Sequence, residues 1–325
     1  MADASLRGAE EIPRSRPIPS TRVAETIVEE LWFGDDDPNT SRAEAERSFA
    51  AGIAKLQGLR PFPVAAQRLM TELSHPNFRV SEVVGVMETD PALAARTLAV
   101  ANCPIFRSAV PCKTISQALL RLGARNVRDV AIGVAAMSMF ADTVGSAARR
   151  LRDHSVGVAA IARCLAEVAL PIESSAVFLA GLMHDVGMLL LLQTGEYDYG
   201  DVTDLGDTHV AERLRLGYDH AVLGGHVMKL WRIPDPTAKV VAWHHQHTRA
   251  YNEGGEVGAM VALLSAADHI DELFATDAAL DPAEANRIGQ SAAWTYLDLS
   301  TGDLREHWSQ FASVREEMLA ALGSA

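Results

Sequence analysis

Cysteine is scarce in this chain, which has only three cysteines, Cys103, Cys112 and Cys164, among 325 residues. Three scattered cysteines are too few for a disulfide framework or a thiolate metal site, and they fit buried apolar side chains in a reducing cytoplasm. Positive charge is also in short supply, with 29 Lys and Arg against 42 Asp and Glu, a formal net charge of -13. An acidic chain is poorly suited to broad electrostatic binding of nucleic acid or anionic membranes. We therefore expect neither a nucleic-acid partner nor a membrane partner.

The sequence also lacks a targeting segment and a long uninterrupted apolar run. Residues 1–22 are polar and contain no apolar core of a signal peptide. The longest apolar stretch, Val177–Leu192, is interrupted by His184-Asp185. A charged pair at the centre of so short a stretch is too costly for a bilayer. These absences predict a soluble, cytoplasmic protein.

Helical periodicity dominates what remains. Hydrophobic residues make up 48% of the chain, enough for a sizeable core. Apolar residues recur at helical spacing from Val80 to Met87, Asp90-Pro91 has the form of a helix start, and Thr114–Gln117 has the form of a capping box. No run of alternating β-branched residues with hairpin turns is visible. The sequence predicts an all-α fold, with one helix ending near Gly123 and the next beginning near Val127.

Four segments follow from the pattern. Residues 1–42 form an arm with a short amphipathic helix at Val23–Phe33, and residues 43–145 form a first helical part. Gly145–Ser146 is a hinge before a second helical part, residues 146–275, and residues 276–325 form a tail. The tail contains Trp294 and Trp308 and an amphipathic stripe, so we expect it to pack on the second helical part or to form a homodimer contact.

Histidine is concentrated in the second helical part. Seven of the eleven histidines lie between His184 and His247, and histidine is the commonest metal ligand. His184-Asp185 interrupts an apolar helix predicted over Glu173–Leu192, where a carboxylate is costly unless it is paired, hydrogen-bonded or bound to a metal. The alternative is that Asp185 accepts hydrogen bonds from a neighbouring helix while His184 is an ordinary core residue.

Candidate ligands occur along the chain in a fixed order: His154, His184, Asp185, His220, His244, His245 and Asp268. Each has a structural alternative as a helix-capping or core residue, and so does the whole series. The order resembles the metal-ligand pattern of the HD superfamily of metal-dependent phosphohydrolases, most fully its HD-GYP branch. The resemblance implies that His154, His184, Asp185 and Asp268 hold one divalent ion. It implies that His220, His244 and His245 hold a second.

The rest of the chain is similar to the HDOD domain, a relative of HD-GYP found in bacterial signalling proteins. The similarity covers residues 48–270. Its matching segments are Leu59–Leu73, Asp90–Asn102, Ile115–Arg128, Ala180–Gly187, His220–Gly225 and Trp231–His245. The resemblance implies an HDOD-type helical fold in which residues 43–145 are the HDOD-specific part and residues 146–275 are the HD-like part.

Two departures from the HD-GYP enzymes leave two functional hypotheses. Met188 stands where those enzymes have a lysine thought to hold phosphate, and Gln246–Val257 replaces their Gly-Tyr-Pro segment. The first hypothesis is therefore a signal-transduction module that acts through a protein partner and retains a metal site. The alternative is a metal-dependent phosphodiesterase of a cyclic dinucleotide or a nucleotide, with Asp185 as its catalytic carboxylate.

The alternative also predicts a cofactor and phosphate contacts. Iron or manganese suits imidazole and carboxylate ligands, and zinc and nickel are further options. Lys229, Arg232 and Lys239 are candidates for the missing phosphate contact, and their structural alternative is a solvated helix face. A nucleotide that binds without turnover is a third reading of the same site.

Overall fold

A computed structural model of the chain describes residues 42–56, 62–73, 75, 77–106, 110–139, 141, 143–169, 174–200, 208–277 and 280–322. Helices account for most of them, and the described residues contain no β-strand, which confirms the all-α prediction. The arm and the helix predicted at Val23–Phe33 lie outside the described residues. The α-helices are α1 Arg42–Leu56, α2 Val64–Leu73, α3 Val80–Glu88, α4 Pro91–Ala101, α5 Ile115–Ser138, α6 Ser146–Ala169, α7 Ser174–Met183, α8 Val186–Thr194, α9 Thr208–Leu216, α10 His220–Leu230, α11 Asp235–Trp243, α12 His247–Glu253, α13 Gly255–Ala275, α14 Pro282–Gly289, α15 Ala292–Tyr296 and α16 Thr301–Leu322.

Helix starts lie where the capping residues predict them. The Asp90 carboxylate accepts a hydrogen bond from the backbone N–H of Leu93 at 3.0 Å, and Pro91 is the first residue of α4. The Thr114 hydroxyl accepts from the backbone N–H of Gln117 at 3.2 Å at the start of α5. Such side chains satisfy N–H groups that have no partner within the helix.

The prediction that one helix ends near Gly123 and another follows is confirmed in outline. The segment α5 spans Ile115–Ser138, but Gly123 within it has φ 81° and ψ 160°, outside the helical region, so two helices meet there at a kink. Glycine adopts a positive φ without the steric cost that a Cβ imposes, so the chain turns at this residue and resumes the helix at once. The sequence signal for a helix end was therefore correct, and the second helix begins directly after Gly123 rather than near Val127.

The predicted helix over Glu173–Leu192 is also divided. The structure has α7 and α8, separated by a turn at His184-Asp185. Ser174–Thr194 is long and apolar enough to cross a membrane by length and composition, but 89% of its apolar window is buried inside the protein. Its hydropathy is therefore that of two core helices. The turn frees His184 and Asp185 from the separation of roughly 100° between neighbouring helical side chains.

Helix α6 lies at the centre of the second helical part, where α7, α13 and α16 pack against it. Its residues from Ser155 to Ala166 are all buried, and many are alanines, which allow close helix approach. The tail packs on the same part of the fold: Trp294 is fully buried, and the rings of Phe274 and Trp308 lie with centroids 4.5 Å apart. This is the intramolecular packing expected of the tail. The homodimer contact stays a prediction.

Gly187 allows α8 to approach α10 closely, and its replacement with alanine should destabilise the protein. A Cβ at Gly187 would overlap the backbone carbonyl of His220, which cannot move without shifting α10. We expect Gly187→Ala to lower the free energy of unfolding by about 1–3 kcal/mol. Gly85→Ala is the control, because a Cβ in α3 meets nothing within 4 Å. It should raise stability by about 0.5–1 kcal/mol. Chemical denaturation followed by circular dichroism measures both, and equal effects would contradict the packing argument.

Candidate metal centre

The structure brings all seven predicted ligands into one buried cluster. They come from five places in the fold: α6, the α7–α8 turn, the start of α10, the residues after α11, and α13. In that order they are His154, His184 with Asp185, His220, His244 with His245, and Asp268. Five of these side chains are buried, whereas His245 and Asp268 are partly exposed. The cluster therefore opens to solvent on the side of His245 and Asp268.

Asp185 lies between two groups of ligand atoms. Its Oδ2 is 3.2 Å from His184 Nε2 and 3.7 Å from His154 Nε2. Its Oδ1 is 3.3 Å from His220 Nε2 and 3.7 Å from His244 Nε2. One carboxylate thus presents a different oxygen to each group, which is the arrangement of a ligand shared by two adjacent cations.

Each group on its own has the dimensions of a metal site. His154, His184 and Asp268 form the first group, and His220, His244 and His245 form the second. Within each group one ligand atom from every residue lies within 4.8 Å of the others. Ligand atoms at about 2.0–2.2 Å from a common ion would have separations in this range.

The opposite nitrogen of each of four histidines is held by a hydrogen bond, so that Nε2 faces the cluster. Such partners fix the tautomer and orientation of a metal-binding imidazole. The Nδ1–H groups donate as follows: His154 to Asp271 at 2.8 Å, His184 to the Gly181 carbonyl at 2.8 Å, His220 to Glu212 at 2.7 Å and His244 to the Val241 carbonyl at 2.7 Å.

This hydrogen bonding leaves acceptor atoms facing one another. A neutral imidazole that donates from Nδ1 has a lone pair on Nε2. The Nε2 of His184 then faces a carboxylate oxygen of Asp185 at 3.2 Å, and the Nε2 atoms of His220 and His244 face each other at 3.4 Å. Two acceptors at such distances need a cation or a proton between them. The donor set, imidazole nitrogens with carboxylate oxygens, therefore fits divalent iron, manganese, zinc or nickel.

Protons are the alternative occupants, and the carboxylates determine where they bind. Burial lowers the pKa of His154, but hydrogen bonds to Asp268 and Asp271 outweigh it and raise that pKa well above its usual value. Burial likewise lowers the pKa of His220, and the Glu212 and Asp185 carboxylates outweigh it and raise the pKa. Burial and the neighbouring His184 and His220 lower the pKa of His244 to about 3.

The shared carboxylate stays ionised in this environment. Burial raises the pKa of Asp185, but His184 and His220 outweigh it and hold the pKa well below its usual value. Burial also raises the pKa of Asp268, and the hydrogen bond with His154, whose Nε2 is 3.0 Å from Oδ1, lowers it overall. Both carboxylates are therefore available as anionic ligands at neutral pH.

Sequence reasoning missed Glu212 and Asp271, which orient ligands from behind. Glu212 is fully buried, accepts from both the backbone N–H and the Nδ1–H of His220 at 2.7 Å, and accepts from the Tyr199 hydroxyl at 2.7 Å. Asp271 follows Asp268 by three residues on α13, a helical spacing that signals a shared face. Glu212 has no comparable signal, because it lies in a charged helix. The ring of His209 stacks on His245, with centroids 4.1 Å apart, and extends the cluster toward α9.

The three cations predicted to contact phosphate lie in other interactions or are exposed. Lys239 Nζ donates to Glu253 at 2.7 Å and lies 4.8 Å from the Trp243 ring centroid. Lys229 Nζ is 4.0 Å from Asp235, and Arg232 is exposed. Their role as phosphate contacts stays a prediction.

Replacing Glu212 with glutamine should weaken metal binding by the second group alone. The two carboxylate oxygens of Glu212 accept from three donors, two of which belong to His220. A glutamine amide has only one acceptor oxygen for them. We expect the affinity of the second group for Mn²⁺ to fall about 10–100-fold, as for other outer partners of metal ligands. Calorimetric titration measures this, with Glu253→Gln as a control at the Lys239 ion pair. An unchanged two-site isotherm for Glu212→Gln would contradict the role of Glu212.

The described residues form an all-helical fold with histidines and carboxylates gathered in its core. The HDOD domain model matches residues 59–247, more than half of the chain, and the chain belongs to the HDOD domain family. Asp268 and Asp271 lie beyond the matched residues.

Solved structures with the same fold carry different names. An HDOD domain protein of unknown function from Geobacter sulfurreducens has a TM-score of 0.65 and 22% identity, and the match covers 85% of this chain and 98% of that one. A Shewanella amazonensis protein provisionally named a metal-dependent phosphohydrolase has a TM-score of 0.60 and 21% identity, covering 86% and 99%. A Marinobacter aquaeolei protein provisionally named a signal transduction protein has a TM-score of 0.61 and 22% identity, covering 88% and 67%.

A curated relative gives no activity. An uncharacterized Treponema pallidum protein is 22% identical over 213 residues, which are 63% of this chain. This chain spans 41% of the length of that relative.

Proposed function

We propose that this chain is a metal-dependent phosphohydrolase with two adjacent divalent-cation positions. The observation that carries the proposal is that Asp185 presents Oδ2 to His154 and His184 and Oδ1 to His220 and His244. A carboxylate shared in this way is a feature of two-metal sites that act on phosphate esters.

The residues of the cluster have separate roles in the proposed reaction. When bound, two divalent ions supply a water of lowered pKa and stabilise negative charge on a phosphoryl group. Asp185 would contribute one oxygen to each position. His154 and His184 with Asp268 define one position, and the three histidines of the second group define the other. In the hydrolysis, a water oxygen forms a bond to phosphorus, the P–O bond to the ester group breaks, and a proton passes to the leaving oxygen.

Access determines where substrate approaches. The Asp268 side chain is 33% exposed, whereas that of His154 is 8% exposed and that of Asp185 is 5% exposed. A phosphate ester therefore reaches the cluster from the side of Asp268 and His245. A nucleotide or a cyclic dinucleotide is the substrate class that the resemblance to HD-GYP suggests.

The second candidate is a regulatory module that acts through a protein partner. Met188 favours it, because an apolar side chain that is 1% exposed lies where the related phosphodiesterases have a phosphate-binding lysine. In this case the metal would add folding energy, since its ligands converge only in the folded chain.

Metal analysis and hydrolysis assays distinguish the two functions. We expect the purified chain, reconstituted separately with Mn²⁺, Fe²⁺, Zn²⁺ or Ni²⁺, to bind about two ions and to hydrolyse bis-(4-nitrophenyl) phosphate and at least one nucleotide or cyclic dinucleotide. The hydrolysis rate of His184→Ala should fall to that of the metal-free protein. The rate of His75→Ala, at an exposed histidine outside the cluster, should match that of the wild type. Two bound ions without turnover of any phosphate ester would contradict the phosphohydrolase and favour the regulatory module.

A further inference from the structure

The C-terminal helix α16 reaches the residues behind the candidate metal centre through Arg315. Arg315 Nε donates to Asp271 Oδ1 at 2.6 Å, and Asp271 Oδ2 accepts from His154 Nδ1 at 2.8 Å. His154 Nε2 in turn faces Asp268 at 3.0 Å and Asp185 at 3.7 Å. A continuous chain of charged hydrogen bonds thus joins the tail to the first group of ligands.

The backbone of α6 leaves room for this contact. A Cβ at Gly157 would overlap Asp271 Oδ1 and lie 3.2 Å from Arg315 Nε. Asp271 is fully buried, and the Arg315 side chain is only 15% exposed. A buried carboxylate without a cation is strongly unfavourable, and Arg315 supplies a permanent positive charge directly to Asp271.

The position of Arg315 depends on how α16 packs. The buried face of α16 contains Leu304, Phe311, Val314 and Met318. The helix packs on α6, which carries His154, and on α4 from the first helical part. The packing of α16 therefore fixes the position of the Arg315 guanidinium relative to Asp271.

We infer that Arg315 is a positioning residue for the first metal group and acts through Asp271 on His154. By holding one oxygen of Asp271, Arg315 directs the other oxygen at His154 Nδ1 and so keeps the Nε2 lone pair facing the cation position. The second group has its own partner behind its ligands, because Glu212 orients His220. The inference rests on the proposed metal centre and adds a control of its first position by the tail.

Titration with Mn²⁺ in two backgrounds isolates the effect. In full-length protein carrying His245→Ala, which impairs the second group, Arg315→Met should lower the affinity of the remaining position about tenfold. In protein carrying His184→Ala, which impairs the first group, Arg315→Met should change the affinity less than twofold. Arg305→Met is the matched control, because Arg305 is exposed on the same helix. It should have no effect in either background.

A second readout reports on His154 without metal. In ¹⁵N-histidine-labelled protein, the His154 Nδ1–H resonance should be protected in the wild type and in Arg305→Met and should exchange faster with solvent in Arg315→Met. Arg315→Lys keeps the charge without the planar guanidinium and should restore part of the affinity. If Arg315→Met does not fold, Asp271→Asn is used in its place. The Mn²⁺ affinity of the first position should then fall by at least as much.

The outcomes separate this inference from the proposed function. If the wild-type protein binds two ions but Arg315→Met leaves the Mn²⁺ affinity unchanged in the His245→Ala background, only the role of Arg315 is overturned. Equal losses in the two backgrounds would show a general effect on stability and would also overturn it. Wild-type protein that binds no Mn²⁺ would overturn the metal centre and the role of Arg315 together.

Discussion

Asp185→Asn is expected to remove metal from both positions at once. Asparagine keeps the size of the side chain but replaces one carboxylate oxygen with an NH₂ group, which offers no lone pair to a cation. The two oxygens of Asp185 face different groups, so the group that faces the new NH₂ loses a ligand atom. Both groups lose the negative charge that lies between them. We expect affinity at each position to fall at least ~100-fold, the upper end of the losses seen for outer partners of metal ligands. Elemental analysis after gel filtration measures the ions per chain.

A buried carboxylate elsewhere provides the control for this substitution. Asp129 is 1% exposed and accepts from Arg128 at 2.7 Å and from Ser175 at 2.9 Å. Asp129→Asn should keep both ions even if it lowers stability. His245→Ala should lose only the ion of the second group. An Asp185→Asn protein that retains one ion at wild-type affinity would show that the carboxylate is not shared.

The sequence predicted which polar residues gather in the core better than it predicted their setting. Seven candidate residues were singled out because their order along the chain resembles the metal-ligand pattern of the HD superfamily, and the structure brings them together. The turn at His184-Asp185 was wrongly predicted as continuous helix, because apolar residues on both sides satisfy a helical pattern on their own. The break depends on tertiary contacts of the polar pair, which periodicity does not report.

The partners behind the ligands were harder to predict. Asp271 shares a helix face with Asp268. Arg315 lies 44 residues beyond Asp271, so only the packing of the tail shows that Arg315 and Asp271 meet. Glu212 lies in a helix rich in charge, where one buried glutamate looks like its solvated neighbours. Local sequence determines which residues have the chemistry of a ligand, whereas the choice of partner depends on contacts between distant helices.

The cluster is unfavourable as a purely structural feature of the core. Without a cation, the Nε2 lone pair of His184 faces a carboxylate oxygen of Asp185 at 3.2 Å, and His154 and His220 carry protons although burial opposes their charge. Four histidines nevertheless have their outer nitrogens held in place. Orientation of this kind is expected where an ion compensates the cluster, so metal and stability should be linked.

Removal of metal with a chelator should therefore destabilise the protein, and the effect should grow with pH. At free metal 100 times the dissociation constant, each position adds about 2.7 kcal/mol, so two positions should raise the thermal midpoint on the order of 10 °C. In the metal-free chain, the raised pKa values of His154 and His220 give stability below their ordinary pKa that is lost as pH rises through the folded values. Metal must displace those protons, so its affinity rises by up to about tenfold per pH unit for each proton displaced.

Thermal unfolding with and without chelator at pH 6, 7 and 8 measures this linkage. The difference between the metal-bound and metal-free midpoints should widen from pH 6 to pH 8, because the metal-bound form gains affinity while the metal-free form loses the contribution of the two protonated histidines. Asp185→Asn is the control and should show little difference at any pH. A difference that is constant or that narrows toward pH 8 would mean that metal does not replace protons on His154 and His220.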